Sequence, residues 1–179
     1  MRTRMLTSVV TVLTALAALL AAVLLSPAPA HAAQGVIRDG REAALPAQMD
    51  ILRVAIRNRE DRVVLTLTFR DLKVQRRAQT KVFIGTRPGT DEGFIAYSGY
   101  RPASGPVTQL WQPTDQEFGG VPIACAGVKG RWRFDRDTVR IVVPQSCLAS
   151  TAARYRFKAV AGFYRQVGDY TAFRSVARG

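Results

Sequence analysis

The side chains that could do chemistry are few, and where they sit decides most of what the chain can be. The only histidine is His31. It lies inside a small-x-small triplet, Ala30-His31-Ala32, and an earlier triplet, Ala28-Pro29-Ala30, overlaps it. Both follow a positive start (Arg2, Arg4) and an apolar run from Val9 to Leu25, the order of an export signal and its cleavage site. Cleavage is expected after Ala32, because no proline then lies inside the site triplet. The alternative is an uncleaved anchor, but the run is at the short end of the roughly 17–25 residues a spanning helix needs. No cysteine lies near the site and no paired arginine precedes it, which argues against a lipid anchor and the twin-arginine route.

Removal of residues 1–32 leaves a mature chain, 33–179, without histidine. That excludes Ser-His-Asp and Cys-His nucleophiles and the usual zinc and copper ligand sets, so no cofactor is expected. Cys125 and Cys147 are an even pair in an exported chain, which predicts a disulfide. Closing that loop should stabilise the fold by about 3 kcal/mol.

Carboxylates could still act in pairs, as acid and partner in glycoside hydrolysis. The acidic residues fall in turn-like places, however: Glu60-Asp61, Asp91-Glu92, Asp115 with Glu117, and Asp135 with Asp137. Turn capping accounts for them. Calcium at Asp91/Glu92 or Asp135/Asp137 would need more oxygen ligands than two neighbouring carboxylates supply.

Charge is the plainer signal. The whole chain carries 26 Lys+Arg against 13 Asp+Glu, and loss of Arg2 and Arg4 leaves a net charge of +11. Arg outnumbers Lys 22 to 4, read first as a coding bias and second as guanidinium chemistry. Arg53, Arg57, Arg59, Arg62 and Arg70 lie on or beside one expected hairpin, and Arg131, Arg133, Arg136 and Arg140 on or beside another. Arg154, Arg156 and Lys158 share one strand face and form the expected anion-binding face. A solvated strand exterior is the competing account. Tyr97, Tyr100, Trp111 and Tyr164 are the candidates for a carbohydrate platform, against a core role for each. Trp132 is less favoured, since it shares a face with Phe134.

The elements that must position these residues alternate with period two. Leu52, Val54 and Ile56 point one way in the first run; after the turn 58–61, Val63, Leu65, Leu67 and Phe69 do the same. This predicts a hairpin. Further strands are expected at Lys81–Thr86, Glu92–Tyr100, Val107–Gln112, Ile123–Val128, Gly130–Phe134, Thr138–Val143 and Tyr155–Phe163, with a short segment around Tyr170 to Phe173. About eight or nine short strands with Gly, Pro, Asn and Asp punctuation predict an all-β chain, a single antiparallel β-sandwich over 33–179.

Four stretches carry a resemblance. They are Asp50-Ile51 with the later strand Arg62 to Phe69, Asp71-Leu72, the run Val142 to Leu148, and the tail Asp169 to Gly179. Over roughly Asp50 to Gly179 the chain resembles small secreted β-sandwich proteins of high-GC Gram-positive bacteria, a group with no assigned function. In outline these resemble carbohydrate-binding domains of the family-nine and DOMON type. That likeness is of fold alone and carries no functional residue across.

The expectation is therefore a secreted, non-catalytic β-sandwich protein of the cell exterior. Its alternatives are a wall-polysaccharide or polyanion-binding module and a hydrolase working with carboxylates alone. Anionic wall polymers or polysaccharide are the expected partners, with no specific nucleic-acid recognition and no membrane span after cleavage.

Overall fold

In the computed structural model the described residues are 33–87, 92–114, 119–150, 152–163 and 166–179. The expected signal peptide, Tyr164, Asp91, Asp115 and Glu117 lie outside them. The chain folds into two antiparallel sheets. The first contains β1 (Ala33–Arg38), β2 (Ile51–Asn58), β3 (Arg62–Phe69), β8 (Lys129–Arg133) and β9 (Thr138–Pro144), in the order β1-β2-β3-β9-β8. The second contains β4 (Ala78–Gly85), β5 (Gly93–Arg101), β6 (Gly105–Pro113), β7 (Gly120–Ile123), β10 (Arg154–Phe163) and β11 (Gln166–Tyr170), in the order β11-β10-β4-β5-β6-β7. β12 (Arg174–Ala177) pairs with the other end of β10.

The alternation read from the sequence is what lets the two sheets share a core. Val54, Ile56, Leu65, Leu67, Val139 and Ile141 face inward from the first sheet. Val82, Ile84, Ala96, Leu110, Phe157 and Ala159 meet them from the second. Each Val, Leu, Ile or Phe buried in this way contributes on the order of 1.5–3 kcal/mol of transfer free energy. The sheets approach closely where β8 crosses β6. A Cβ on Gly130 would collide with the Thr108 side chain, so glycine is needed there. Beside it, Trp132 Nε1 donates to the buried Ser98 Oγ (3.0 Å), which also bonds Thr108 Oγ1 (3.0 Å).

The expected hairpin is β2–β3, with one correction. The register shifts between Ile51 and Arg53, so Leu52 bulges out and is only half-buried, while Ile51 takes the core position. The strand count rises to twelve because β1, β11 and β12 are short, and a few residues offer too few alternations to read. The strand expected at Ile123–Val128 ends at Ile123, and the chain then turns, with Gly127 in the left-handed region (φ +93°). The segment expected around Tyr170 to Phe173 is instead the junction between β11 and β12. There the Ala159 N–H donates to the Thr171 hydroxyl (2.9 Å), and this side-chain bond interrupts the ladder.

Cys125 and Cys147 are bonded, with Cα atoms 5.6 Å apart. The bridge joins the turn after β7, in the second sheet, to the 3-10 turn Gln145–Cys147 after β9, in the first. No helix among the described residues is long and apolar enough to cross a membrane.

Candidate functional site

The aromatic candidates separate by strand parity. Directly paired residues of antiparallel strands share a face, and Lys81, Tyr97 and Gln109 are paired across β4, β5 and β6 on the outer face of the second sheet. Trp111 is two residues along from Gln109 on that face. Its ring stacks on Tyr97, with centroids 4.5 Å apart and planes 14° from parallel. Gly99 makes this possible, because a Cβ there would collide with the Tyr97 hydroxyl, so the ring lies flat where a side chain would otherwise stand. Trp111 Nε1 donates to Gln109 Oε1 (3.1 Å), and the Lys81 ammonium sits 5.3 Å from the indole centroid. Burial pushes the Tyr97 hydroxyl pKa up, against the nearby Arg101 charge, and burial pulls the Lys81 pKa down.

These rings line an open groove of about 620 Å³. Gln79 and Gln109 add amides, Arg77 and Arg101 add exposed guanidinium groups, and among the described residues no carboxylate lines it. Tyr100 also lines the groove, but its ring is not part of the stack. Its side chain points the opposite way from Tyr97, is buried, and packs on Phe134 (4.7 Å) and Trp132 (5.7 Å). Tyr164 is outside the described residues.

The expected anion-binding residues are all on β10, but they do not form a bare cationic surface. Arg154 is exposed, whereas Arg156 and Lys158 are half-buried against rings. The Arg156 guanidinium lies 4.3 Å from the Phe173 centroid. Lys158 lies 5.0 Å from the Tyr170 ring and 5.5 Å from the Phe173 ring. Phe173 also meets Phe83 edge-on at 6.3 Å. Cation–π contacts of this kind hold the charges down on the sheet.

A larger basic surface covers the outer face of the first sheet. One ladder row across it reads Arg38, Arg53, Thr68, Thr138, Arg133. The next reads Val36, Ala55, Thr66, Arg140, Arg131. The third reads Gln34, Arg57, Val64, Val142, Lys129. Of these seven cations only Arg133 is less than exposed. No carboxylate occupies a position in the three rows, and among the described residues none of the seven has an ion pair. The two basic hairpins were visible in the sequence. Their fusion into one face depends on β3 pairing with β9, which local pattern does not reveal.

The carboxylates form a different kind of cluster. Asp50 and Asp169 are buried, and Asp39 and Glu42 are close enough for their charges to act on Asp169. Asp169 Oδ2 accepts from the Ile51 N–H (2.6 Å), while Asp50 Oδ2 pairs with Arg70 (2.9 Å). Arg70 also donates to the carbonyls of Glu42 and Leu45, pinning the loop before β2. Asp39 Oδ2, Asp50 Oδ1 and Asp169 Oδ1 are left without partners. Burial, chiefly, raises the Asp169 pKa from 3.8 to about 6; the Asp39, Glu42 and Asp50 charges add to the rise and the Ile51 bond opposes it. A raised acid beside a second carboxylate is what a carboxylate-only hydrolase would need. Asp169 and Asp50 are 2 % and 0 % exposed, however, so neither lies on an open surface.

The described calcium candidates make other contacts, and Asp91 lies outside the described residues. Asp137 Oδ1 accepts from the Leu72 N–H (2.7 Å), Asp135 leans toward Arg136 (3.6 Å), and Glu92 pairs with Arg87 (3.1 Å). No group of three or more metal-type ligands able to hold an ion occurs among the described residues. No protein-family model and no curated protein matches the chain.

Proposed function

We propose that the domain Ala33 to Gly179 is an exported, non-catalytic binding module for acidic polysaccharide, seated in the groove on the outer face of the second sheet. The observation that carries this reading is the Tyr97–Trp111 stack in a groove that exposed Arg77 and Arg101 also line, with no carboxylate among its described lining residues. The apolar face of a pyranose packs on flat rings, amides bond its hydroxyls, and guanidinium forks onto a carboxylate. The stack is held before any ligand arrives, by Gly99 beneath it and Gln109 at the indole N–H, so little ordering is left for binding to oppose. Export is supported by the signal-like N-terminus and by the disulfide.

The test is calorimetric titration with tetragalacturonate and with its methyl ester, which keeps the rings and removes the charges. The acid should bind, and the ester should bind about ten-fold more weakly, since a charge-assisted bond contributes roughly 1.5–3 kcal/mol. Arg101→Ala, at an exposed position, should weaken the acid and leave the ester unchanged. An acid that does not bind, or that binds equally well to Trp111→Phe and Arg101→Ala, would sink the reading.

A further inference from the structure

The first sheet's outer face has a feature that solvation does not explain. Arg131 and Arg140 are directly paired across β8 and β9, and Arg38 and Arg53 across β1 and β2. Like charges directly opposite in a ladder destabilise it. All four are exposed, and no carboxylate stands among them to offset the repulsion. The face therefore carries an electrostatic cost that is relieved only when anions lie across it.

We infer that this face is a docking surface for a linear phosphodiester polymer, whose backbone charges lie between the ladder rows. The structure favours that occupant in four ways. Six of the seven cations are arginine, which forks bidentately onto phosphate where lysine cannot. Thr66, Thr68 and Thr138 set hydroxyls between the cations on the same rows, as further donors to phosphate oxygens. Strands lie about 4.8 Å apart and same-face residues about 6.7 Å apart along a strand, so the cations form a regular grid across the face. An extended polymer can cross such a grid in register with several charges, whereas a small anion could use only one or two. Finally, no aromatic residue stands in the three rows, so the face offers nothing on which unpaired bases could stack. Val36 is the one large apolar side chain exposed there, too little to insert into a lipid surface.

The site is independent of the saccharide groove. It lies on the other sheet and shares no residue with it, so either assignment can fail alone. The experiment measures binding of purified poly(glycerol phosphate) to the mature domain over a salt series. An oligothymidylate of equal charge and phosphatidylglycerol vesicles run as parallel arms. Poly(glycerol phosphate) should bind, weakening steeply with salt as several contacts release counterions together. Arg53→Glu with Arg140→Glu should weaken it at least ten-fold, while Arg154→Glu with Arg156→Glu changes it less than two-fold. Thermal melts of both double variants separate lost binding from lost folding, and Arg53→Gln with Arg140→Gln repeats the test without charge reversal. No binding at low salt overturns the inference. So does equal loss from the β10 variant, and so does tighter binding to the oligonucleotide or the vesicles.

Discussion

If Arg131 and Arg140 repel one another in the unliganded domain, reversing one of them should make the protein more stable. The pair is directly opposite in the β8–β9 register, where Cβ atoms lie about 4.5–5.5 Å apart, well inside a Debye length of about 10 Å at 0.1 M salt. Arg140→Glu removes a like-charge pair and creates an opposite-charge pair. Each change contributes roughly 0.2–1 kcal/mol, so a gain of about 1 kcal/mol is expected at low salt. Against this stands the poorer strand propensity of glutamate, a few tenths on a scale that spans about 1 kcal/mol. For a domain of 147 residues, 1 kcal/mol moves the Tm by about 2–4 °C. Scanning calorimetry at 20 mM and 500 mM salt would measure it, with Arg140→Gln as the variant that loses only the repulsion. The gain should be largest for Glu, intermediate for Gln, and much reduced at high salt. Arg131→Glu combined with Arg140→Glu restores a like-charge pair and should forfeit the gain, which makes the coupling measurable as a double-mutant cycle. A destabilised Arg140→Glu at low salt, or a gain independent of salt, would refute the reasoning.

Other outcomes follow from the rest of the fold. Replacing Cys125 and Cys147 with Ser should cost about 3 kcal/mol in denaturant melts, and an unchanged midpoint would show the bridge to be without structural weight. Asp169 has a folded pKa of about 6 against 3.8, so its stabilisation is full below about pH 4 and is lost as pH rises through 6. The Tm should rise from pH 7.5 to pH 5, and Asp169→Asn, which cannot titrate, should flatten that slope; an identical slope in the variant would exclude Asp169 as its source. Gly130→Ala should destabilise by roughly 1–3 kcal/mol, because its Cβ meets the Thr108 side chain where the sheets approach. Intact-mass analysis of exported protein should give a chain beginning at Ala33, and retention of Met1 would contradict cleavage.

Much of the sandwich was legible because burial on one face forces period two, and residues such as Val63, Leu65, Leu67 and Phe69 obey it without exception. What local pattern could not supply was any pairing between distant segments. The adjacency of β3 and β9 is one example, and it alone turns two ordinary basic hairpins into a single face. The acidic cluster is another, since Asp39, Asp50 and Asp169 come from three separated stretches. The Leu52 bulge was invisible for a different reason: Ile51 and Leu52 are equally apolar, and only the partner strand decides which one turns inward. The Tyr100 ring, by contrast, could have been excluded from the stack. Tyr100 is three residues from Tyr97 on one strand, an odd spacing that places the two on opposite faces.

The distribution of charge, more than its amount, separates use from coding bias. A bias toward arginine codons would load the exposed positions of both sheets alike. The outer face of the second sheet instead seats Lys81, Arg156 and Lys158 against Trp111, Phe173 and Tyr170, where the rings partly neutralise them. The first sheet's face carries seven cations without a ring or a carboxylate in its rows, and two of its cross-strand pairs are of like sign. Among the described residues, Asp61 and Asp135 pair with neighbouring arginines in turns, and Asp50 and Asp169 are buried. That segregation leaves Lys81, Arg156 and Lys158 of the second sheet against rings and the first sheet repelling itself at its surface. The second condition lowers stability in the free domain and is relieved by a polyanion, so each cation costs stability before binding and gains attraction after it. The same arginines are thus predicted to move stability and polyanion affinity in opposite directions. A surface that was merely solvated would show the gain in stability without the loss of polyanion affinity.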